Sequence, residues 1–428
     1  MLNRDVFYLI LEELKDDKKT LYSCLLVNKT WCEIIIPILW KNPWKNLKER
    51  NKQLLLDVII SNQSNQKRLF NYISFCRHLN LIEIIDATID GIINLFINEN
   101  TNFTHLYLPY QFDYQIHLIP GAKQSFSNIE FLSCDTSISD NVLTGLIEMC
   151  KSIKELELFI NVKNNNYGII KLIETTKRLF NVRFITRPYS KIDESFCKLL
   201  ENSLIKHENT IQYFKITKQP TTKFLSSFIN LKKLELAGDF FNILEWNCLK
   251  VLSLPFLQIL IARSIPIKAL TSVIESTNGF LFEIKIDSVQ HDEINNKRII
   301  QAIYQNCPNL NYLTLLFRNS NILELEQLLI NCQYLSELTI LINCVDDVFD
   351  DDKLFEILTK SSPPSLFKFK FSNFRPTKLK LKSFFDNWKV RHPMSLQFTE
   401  FRSMKNIVDL IEKYKSKGIV KKCEEWHF

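Results

Sequence analysis

The sequence predicts an α/β fold, in which an N-terminal three-helix unit precedes a curved solenoid with parallel strands on the concave face and helices outside. Two observations carry this prediction. A short apolar motif recurs at intervals of about 26 residues, and the first forty residues are too apolar for so small a unit. Of the 428 residues, 46% are apolar and 24% are charged, which supplies ample material for a large core.

Three short helices are predicted in residues 1–40, the first domain. Asn3 is placed to cap the first helix, and Thr20 to cap the second after the polar turn KDDKK. The third runs from about Thr30 to Trp40, and Pro37 is expected to shorten or kink it. The apolar faces of the three helices carry Val6, Leu9, Ile10 and Leu14, then Leu21, Cys24, Leu25 and Leu26, then Trp31, Ile34, Ile35 and Leu39.

Three helices of this size cannot bury so much Leu, Ile and Trp by themselves. Some apolar faces must therefore find a partner, either the first repeat of the solenoid or a second protein. Residues 41–75 are predicted to be a helical linker between the two parts. Within it LLLDVII favours a helix, and SNQSNQK favours a polar loop after it.

The recurring motif has the form apolar-x-x-apolar-x-apolar. Five sharp copies are IKELEL (153–158), LKKLEL (231–236), LKVLSL (249–254), LNYLTL (310–315) and LSELTI (335–340). Seven looser copies are CRHLNL (76–81), FTHLYL (103–108), IEFLSC (129–134), LFNVRF (179–184), IQYFKI (211–216), LFEIKI (281–286) and LFKFKF (366–371). The last three positions alternate as a short strand does, and helical patterns such as DNVLTGLIEMCKS lie between copies.

A strand and a helix in each interval resemble the leucine-rich repeat, whose units stack because none can bury its own face alone. The resemblance places the solenoid at residues 76–375 and a C-terminal cap with a basic tail at residues 376–428. Cys150, Cys307 and Cys332 each precede an apolar anchor by three residues, as in the cysteine-containing kind of repeat. We expect these to be small buried thiols in a reducing compartment, because none of the 11 cysteines forms a C-x-x-C pair.

The first forty residues closely resemble the F-box. That family opens Leu-Pro, continues with an Ile/Leu-rich helix, passes Asp-Leu to a Val-Cys-Lys-x-Trp core and closes on Leu-Trp. The matching positions here are Leu2, Val6, Leu9, Ile10, Leu14, Leu21, Leu25, Val27, Lys29, Trp31, Leu39 and Trp40. Asn3 replaces the family's Pro, Thr20 its Asp and Asn28 its Cys, and none of these departures removes a large apolar contact.

This resemblance implies a substrate receptor of a Skp–cullin–F-box ubiquitin ligase. The F-box would bind a Skp-type adaptor and through it a cullin–RING ligase, while the repeats bind an unknown protein substrate. Leu25, Trp31 and Leu39 are the expected buried anchors. The predicted adaptor-binding residues are Leu2, Val6, Leu9, Ile10, Leu21, Leu25, Val27, Trp31, Leu39 and Trp40. The predicted target-binding residues project between the apolar positions of the strands: Glu155, Glu157, Lys233, Glu235, Tyr312, Thr314, Glu337 and Thr339.

Several other functions are disfavoured. The chain has 7 glycines and no G-x-G, which argues against Rossmann and P-loop nucleotide sites. No zinc spacing or nucleophile elbow occurs, and the acidic run DDVFDDD lacks the Gly and terminal Glu of a calcium loop. We therefore predict a non-catalytic subunit with no cofactor and no metal. Without a signal peptide or an apolar span of about 20 residues, we expect no membrane partner and a cytoplasmic or nuclear location.

Two rival functions stay open. The first is a leucine-rich-repeat interaction scaffold with no role in ubiquitination. The second is nucleic-acid contact through the basic C-terminus, where residues 366–428 hold 15 Lys and Arg against 6 Asp and Glu. The mixed signs of the target-binding residues argue against nucleic acid and for a protein surface. A hydrolase is a more distant alternative, since it needs a deep pocket with convergent polar groups.

Overall fold

We describe the protein from a computed structural model. The structure describes residues 4–45, 47–64, 71–84, 89–187, 193–239, 246–289, 292–342, 349–374, 376–388, 391–399 and 407–425. The chain divides into two compact units, Met1–Lys206 and His207–Phe428. Among the described residues no helix is long and apolar enough to cross a membrane.

The first unit opens with the three predicted helices, α1 (Arg4–Glu13), α2 (Lys18–Cys24) and α3 (Lys29–Trp40). Their shared core consists of Leu11, Leu21, Ile34, Ile35 and Ile38, with Phe7, Leu14, Cys24, Leu25, Trp31 and Leu39 packed partly buried around it. The core is small because α1 and α2 each turn one side towards α3 and the other to solvent.

The helix caps differ in part from the prediction. Asp17, not Thr20, caps α2: its carboxylate accepts a hydrogen bond from the Thr20 backbone N–H at 3.2 Å. Asn28, which replaces the Cys of the F-box pattern, caps α3 by accepting from the Trp31 N–H at 3.0 Å. Pro37 does not shorten α3, which continues to Trp40. The cap predicted at Asn3 lies outside the described residues.

The described residues of the predicted linker include two helices. They are α4 (Glu49–Ser64) and α5 (Tyr72–Phe75). The helix α4 includes LLLDVII, as predicted, and also the first four residues of SNQSNQK, which were predicted to be a loop. The remainder of that loop lies outside the described residues.

Strand–helix repeats form the rest of the first unit. The strands are β1 (His78–Asn80), β2 (His105–Tyr107), β3 (Phe131–Asp135), β4 (Glu155–Ile160) and β5 (Asn181–Thr186). The helices are α6 (Leu81–Ile84), α7 (Ile89–Phe96), α8 (Ala122–Phe126), α9 (Asp140–Met149), α10 (Gly168–Thr175) and α11 (Glu194–Ser203). Each of β1 to β4 pairs in parallel with the next strand along the chain.

The motif's central apolar residue sets the register of this sheet. Leu79, Leu106, Leu132, Leu156 and Val182 are aligned across the five strands, and each is at most 1% exposed. A column of apolar side chains on one face of a parallel sheet buries that face against the helices and leaves the other face free. We call the other face the open face.

The second unit repeats this arrangement. Its strands are β6 (Tyr213–Ile216), β7 (Lys233–Ala237), β8 (Ile259–Arg263), β9 (Glu283–Asp287), β10 (Tyr312–Phe317), β11 (Glu337–Ile342), β12 (Lys368–Ser372), β13 (Met394–Phe398) and β14 (Val420–Glu425). They pair in parallel in chain order. The helices are α12 (Ile267–Glu275), α13 (Glu293–Asn306), α14 (Ile322–Asn331), α15 (Asp351–Ser361), α16 (Lys378–Asn387) and α17 (Val408–Ser416).

One predicted repeat is out of phase. LKVLSL (249–254) does not form a strand; its first half lies in a 3-10 helix, Asn247–Val251. The strand is β8, where LQILIA (257–262) supplies the motif and Leu260 pairs with Leu234 and Ile284. The physical reason is that Leu252 and Leu254 are buried on the approach to the strand, so two adjacent segments both satisfy the pattern.

The repeats also continue past the boundary predicted at residue 375. The strands β13 and β14, with α16 and α17, occupy the region predicted to be a cap and basic tail. Leu396 and Cys423 extend the buried column that Phe369 belongs to. These repeats escaped the sequence pattern because no apolar residue other than Pro393 stands three positions before Leu396, and because β14 has Cys423 and Glu425 where β13 has Leu396 and Phe398.

The cysteine prediction is confirmed for the thiols that it singled out. Cys150, Cys307 and Cys332 are buried and free, and every other described cysteine is free as well. Burial raises the pKa of Cys150 and of Cys332 to about 12, so these thiols stay protonated at neutral pH. The three cysteines therefore pack in the core before each motif and do not act as reactive thiols.

Candidate functional site: the outer face of the first helices and the open sheet face

Apolar side chains on the outer side of α1 are exposed to solvent. Val6, Leu9 and Ile10 are 41%, 64% and 51% exposed, because Phe7, Leu11 and Leu14 occupy the inner side of the helix. Three of the predicted adaptor-binding residues therefore lie on an accessible surface. The prediction had placed Leu14 on the same face, and the structure turns it inward instead.

The helix α2 and the turn after it add further exposed apolar side chains. Tyr22, Leu26 and Val27 are 56%, 89% and 55% exposed, respectively. Val27 was predicted, and Tyr22 and Leu26 were not, although their i, i+4 spacing across the end of α2 is a signal that places both on one side. We call Val6, Leu9, Ile10, Tyr22, Leu26 and Val27 the outer apolar residues.

The other predicted adaptor-binding residues lie further inside. Leu21 is fully buried, so it belongs to the core of the three helices and not to an exposed surface. Leu25, Trp31 and Leu39 pack half-buried against the same core, and the Trp31 ring meets that of Phe7 edge-on at 4.7 Å. Leu2 lies outside the described residues.

The end of α3 is tied to the first repeat. The half-buried Trp40 ring stacks on Tyr72 at 4.6 Å, which makes it a contact within the chain. The indole N–H of Trp44 donates to the carbonyl oxygen of His78 in β1 at 2.8 Å. The backbone N–H of Arg77 donates to the carbonyl oxygen of Lys41 at 2.9 Å. These contacts join the helices to the sheet without a free hinge among the described residues between Trp40 and Trp44.

Ion pairs hold α1 and the following turn to the end of α3. Lys41 Nζ lies 3.0 Å from Glu12, and Lys45 Nζ lies 2.5 Å from Asp16. The ammonium of Lys18 also donates to the carbonyl oxygen of Lys45 at 2.6 Å. All three contacts are partly exposed, so they orient the helices more than they stabilise them.

The predicted target-binding residues lie on the open face, as two columns across the strands. In the first unit Glu155 and Glu157 point outward from β4 and are half-buried. Glu155 lies 3.8 Å from the guanidinium of Arg183 in β5, and Glu157 accepts a hydrogen bond from the Ser133 hydroxyl at 2.9 Å. This part of the face is therefore polar but not uniformly charged.

In the second unit the charges on β6 and β7 are paired. Lys233 Nζ lies 2.7 Å from Glu235 and 4.8 Å from the ring centre of Tyr213, while Lys215 is 3.4 Å from Glu235. The pKa of the Glu235 carboxyl is lowered. Burial, the largest single effect, would raise this pKa, but the hydrogen bond from Lys233 and the charges of Lys233 and Lys215 together outweigh it.

Two of the predicted target-binding residues are not accessible. Thr314 is 8% exposed and Thr339 is 2% exposed; the two are in register with each other, and the longer side chains of Lys285 and Lys370 flank the pair. Their burial argues against the prediction that these two threonines contact a target. Tyr312 is 38% exposed, and Glu337 forms an ion pair with Lys370 at 2.5 Å.

Sequence reasoning missed two features of the open face. Ile259 and Ile261 point outward and are half-buried on β8, which the out-of-phase motif had hidden. In the first unit an aromatic group extends over β1 to β3. It consists of His78, His105, Tyr107 and Phe131, which we call the aromatic cluster. The looser motif copies contain all four, and their x positions are the signal that could have found them.

No group of three or more His, Cys, Asp or Glu side chains in the described part of the chain is arranged to hold a metal ion. The acidic run DDVFDDD lies partly outside it. Its described end caps α15, where the Asp350 carboxylate accepts from the Lys353 N–H at 3.0 Å. Two lysines of the C-terminal repeats form ion pairs: Lys415 pairs with Glu412, and Lys422 pairs with Glu424.

Comparison of the sequence with protein-family models and with curated proteins finds no match. Solved structures are similar at the level of fold. The leucine-rich repeat-containing protein LegL7 from Legionella pneumophila aligns over 68% of this chain and 89% of its own, with 13% identity and a TM-score of 0.38. The yeast structure of the Rad7 and Elc1 complex aligns over 94% of this chain and 93% of the matched chain, with 14% identity and a TM-score of 0.43.

With TM-scores below 0.5, these likenesses carry no argument about function. The fold class rests on the chain itself, on parallel strands paired in chain order, a buried column of apolar residues and a helix or short helical turn between strands. These features define an α/β repeat protein of the leucine-rich-repeat kind, as the sequence predicts.

Proposed function

We propose that this chain is the non-catalytic substrate receptor of a Skp–cullin–F-box ubiquitin ligase. Its first three helices bind a Skp-type adaptor, and the open face of its repeats binds a target protein. The observation that carries the proposal is the set of six outer apolar residues, 41% to 89% exposed within the first 27 residues. Exposed apolar side chains at this density are typical of a protein interface.

The adaptor contact divides the apolar residues of the three helices between two tasks. Leu21 and the isoleucines of α3 hold the helices together, while Leu9, Ile10 and Leu26 enter the adaptor's groove. Leu25, Trp31 and Leu39 line the boundary between the two sets, since each packs on the core and keeps part of its surface accessible. Burying such side chains at an interface contributes about 1.5–3 kcal/mol each.

The receptor acts by proximity. An adaptor held at one end and a target held on the open face bring a target lysine to the ubiquitin-loaded enzyme at high effective concentration. The contacts of Trp40 and Trp44 support this role, because a rigid joint between helices and sheet keeps that concentration from being diluted. We place the work in the cytoplasm or nucleus, where such ligases and reduced thiols coexist.

The test is affinity capture of the tagged full-length chain from its source cell, followed by immunoblotting for the Skp-type adaptor and the cullin. Leu9→Asp/Leu26→Asp is the interface variant, and Leu118→Asp, whose leucine is 68% exposed elsewhere in the first unit, is the matched control. We expect the wild type and the control to retain both partners and the interface variant to lose both.

Two results would change the proposal. An adaptor captured without cullin would indicate the rival function, an interaction scaffold linked to the adaptor but without ubiquitination. Absence of the adaptor from the wild-type capture would contradict the receptor function, and the outer apolar residues would then need a different partner.

A further inference from the structure

The aromatic cluster is an unusual group for the open face of a sheet that is otherwise mostly polar. The His78 and His105 rings stack with centres 3.8 Å apart, and Phe131 lies 5.4 Å from His105 and 5.1 Å from Tyr107. The two imidazoles and the phenol are half-buried, so part of each ring remains accessible. Phe131 is buried, so the accessible stacking surface consists of His78, His105 and Tyr107, with Phe131 packed against it.

Carboxylates border this surface on the side of β4. Glu155 is in register with Phe131, and Glu157 is in register with Ser133. The Glu157 carboxylate accepts a hydrogen bond from the Ser133 hydroxyl, and no Lys or Arg among the described residues forms an ion pair with it. A half-buried carboxylate paired only with a hydroxyl keeps much of its capacity to bind a cation.

The protein already contains one cation bound in this way. The guanidinium carbon of Arg183 lies 5.8 Å from the ring centre of Phe131, and a guanidinium nitrogen lies 3.8 Å from Glu155. An aromatic face together with a carboxylate is the combination that suits a planar guanidinium. The same two kinds of group recur one step along the face, where Tyr107 of β2 and Glu157 of β4 lie in register on either side of Ser133 of β3.

The imidazoles do not oppose a cation. Burial, and secondarily the nearby charge of His105, lowers the pKa of His78 to about 3. Burial also lowers the pKa of His105, although the charges of Glu155 and Glu130 act in the opposite direction. Both rings are therefore neutral at physiological pH and present π-faces to a ligand.

We propose that the aromatic cluster and Glu157 bind an arginine side chain in a basic segment of the target protein. The inference rests on the proposed function, because it names the chemistry by which the open face recognises its target. Charge complementarity selects this occupant: Glu155 already pairs with Arg183, and the remaining carboxylate, Glu157, attracts a guanidinium and repels the phosphates of a nucleic acid. Arginine is favoured over lysine because its planar group stacks and also binds a carboxylate.

The test uses the full-length chain and a fluorescein-labelled peptide of four Arg-Ser repeats, with fluorescence anisotropy at 150 mM salt. A citrulline-Ser peptide of the same length is the uncharged control. The diagnostic variant is Glu157→Gln, which keeps an oxygen for the Ser133 hydroxyl and therefore the fold. The matched control is Glu148→Gln, an exposed carboxylate on α9.

We expect the citrulline peptide to bind about tenfold or more weakly than the arginine peptide. Glu157→Gln should weaken arginine binding about tenfold, and Glu148→Gln should leave it unchanged. Equal affinity for the two peptides, no measurable binding, or equal losses in the two variants would each overturn the inference.

Adaptor capture with the same samples separates this inference from the function on which it rests. Capture of the adaptor without peptide discrimination overturns the arginine site alone. Peptide discrimination without adaptor capture supports the site and overturns the ligase role.

Discussion

The indole N–H of Trp44 donates to the carbonyl oxygen of His78 at 2.8 Å and so fastens the segment after α3 to the first strand of the sheet. Trp44 is 6% exposed, and its ring also packs against Phe96 at 5.9 Å. The Trp44 side chain thus contacts both His78 of β1 and Phe96 of α7. This joint fixes the segment after the first three helices to the sheet of the first unit.

Replacing Trp44 by Phe should loosen that joint. The ring is largely kept and the donor is lost, so a partly buried carbonyl loses its hydrogen bond at a cost of about 1–3 kcal/mol. Hydrogen exchange followed by mass spectrometry should report a matching fall in protection of β1, with little change in β10 and β11. Protection of β1 equal to the wild type would show that the hydrogen bond does not restrain it.

The cap of α3 offers a second prediction. Asn28→Ala should destabilise the helix by about 0.5–2 kcal/mol, because the Trp31 N–H loses its acceptor. Asn28→Asp should retain most of the stability, since a carboxylate accepts the same bond. Hydrogen-exchange rates of the α3 backbone amides measure the loss of stability in each variant. Equal rates in the Ala and Asp variants would contradict the cap.

The phase of the repeat at β8 is testable by paired substitutions. Leu260→Ala should destabilise the second unit by about 2–5 kcal/mol, because its side chain is fully buried. Ile261→Ala removes a half-buried side chain on the open face and should cost much less. Hydrogen exchange of the β7 to β9 amides, measured at increasing denaturant concentration, compares the stability of the two variants. A larger loss at Ile261 would mean that the strand faces the other way.

The stacked histidines predict a dependence on acid pH. His78 has an ordinary pKa of 6.5 when unfolded and about 3 when folded, so below pH 6.5 the unfolded chain binds the proton that the folded chain refuses. Stability of the first unit should therefore fall as the pH drops from about 6.5 towards 3. His78→Gln should flatten that slope in thermal melts taken across this range. An unchanged slope would assign the acid sensitivity to other groups.

Sequence patterns predicted the parts of this fold that depend on alternation. Leu79, Leu106, Leu132 and Leu156 were located correctly, because each is the central apolar residue of a recurring motif whose flanking positions are aromatic or polar. The same rule failed at β8, where outward Ile259 and Ile261 erase the alternation while LKVLSL imitates it. Periodicity cannot distinguish two segments that are both buried.

The helical face of α1 shows a different limit. The segment VFYLILEEL has apolar residues on every side of the helix. Two different faces therefore satisfy helical spacing: Val6, Leu9 and Ile10 form one, and Phe7, Leu11 and Leu14 form the other. Packing against Ile34, Ile35 and Ile38 decides which set is buried, and that contact is not local in sequence. The choice between Asp17 and Thr20 as a cap was undetermined for a similar reason, because both residue types cap helices well.

The most direct test of the central claim is the affinity of the purified Skp-type adaptor for the full-length chain by titration calorimetry. We predict that Leu9→Asp/Leu26→Asp weakens the complex about 100-fold or more, since two interface leucines at about 1.5–3 kcal/mol each are lost. Leu118→Asp should bind like the wild type. Wild-type affinity in the double variant would contradict the account, because the adaptor would then bind elsewhere on the chain.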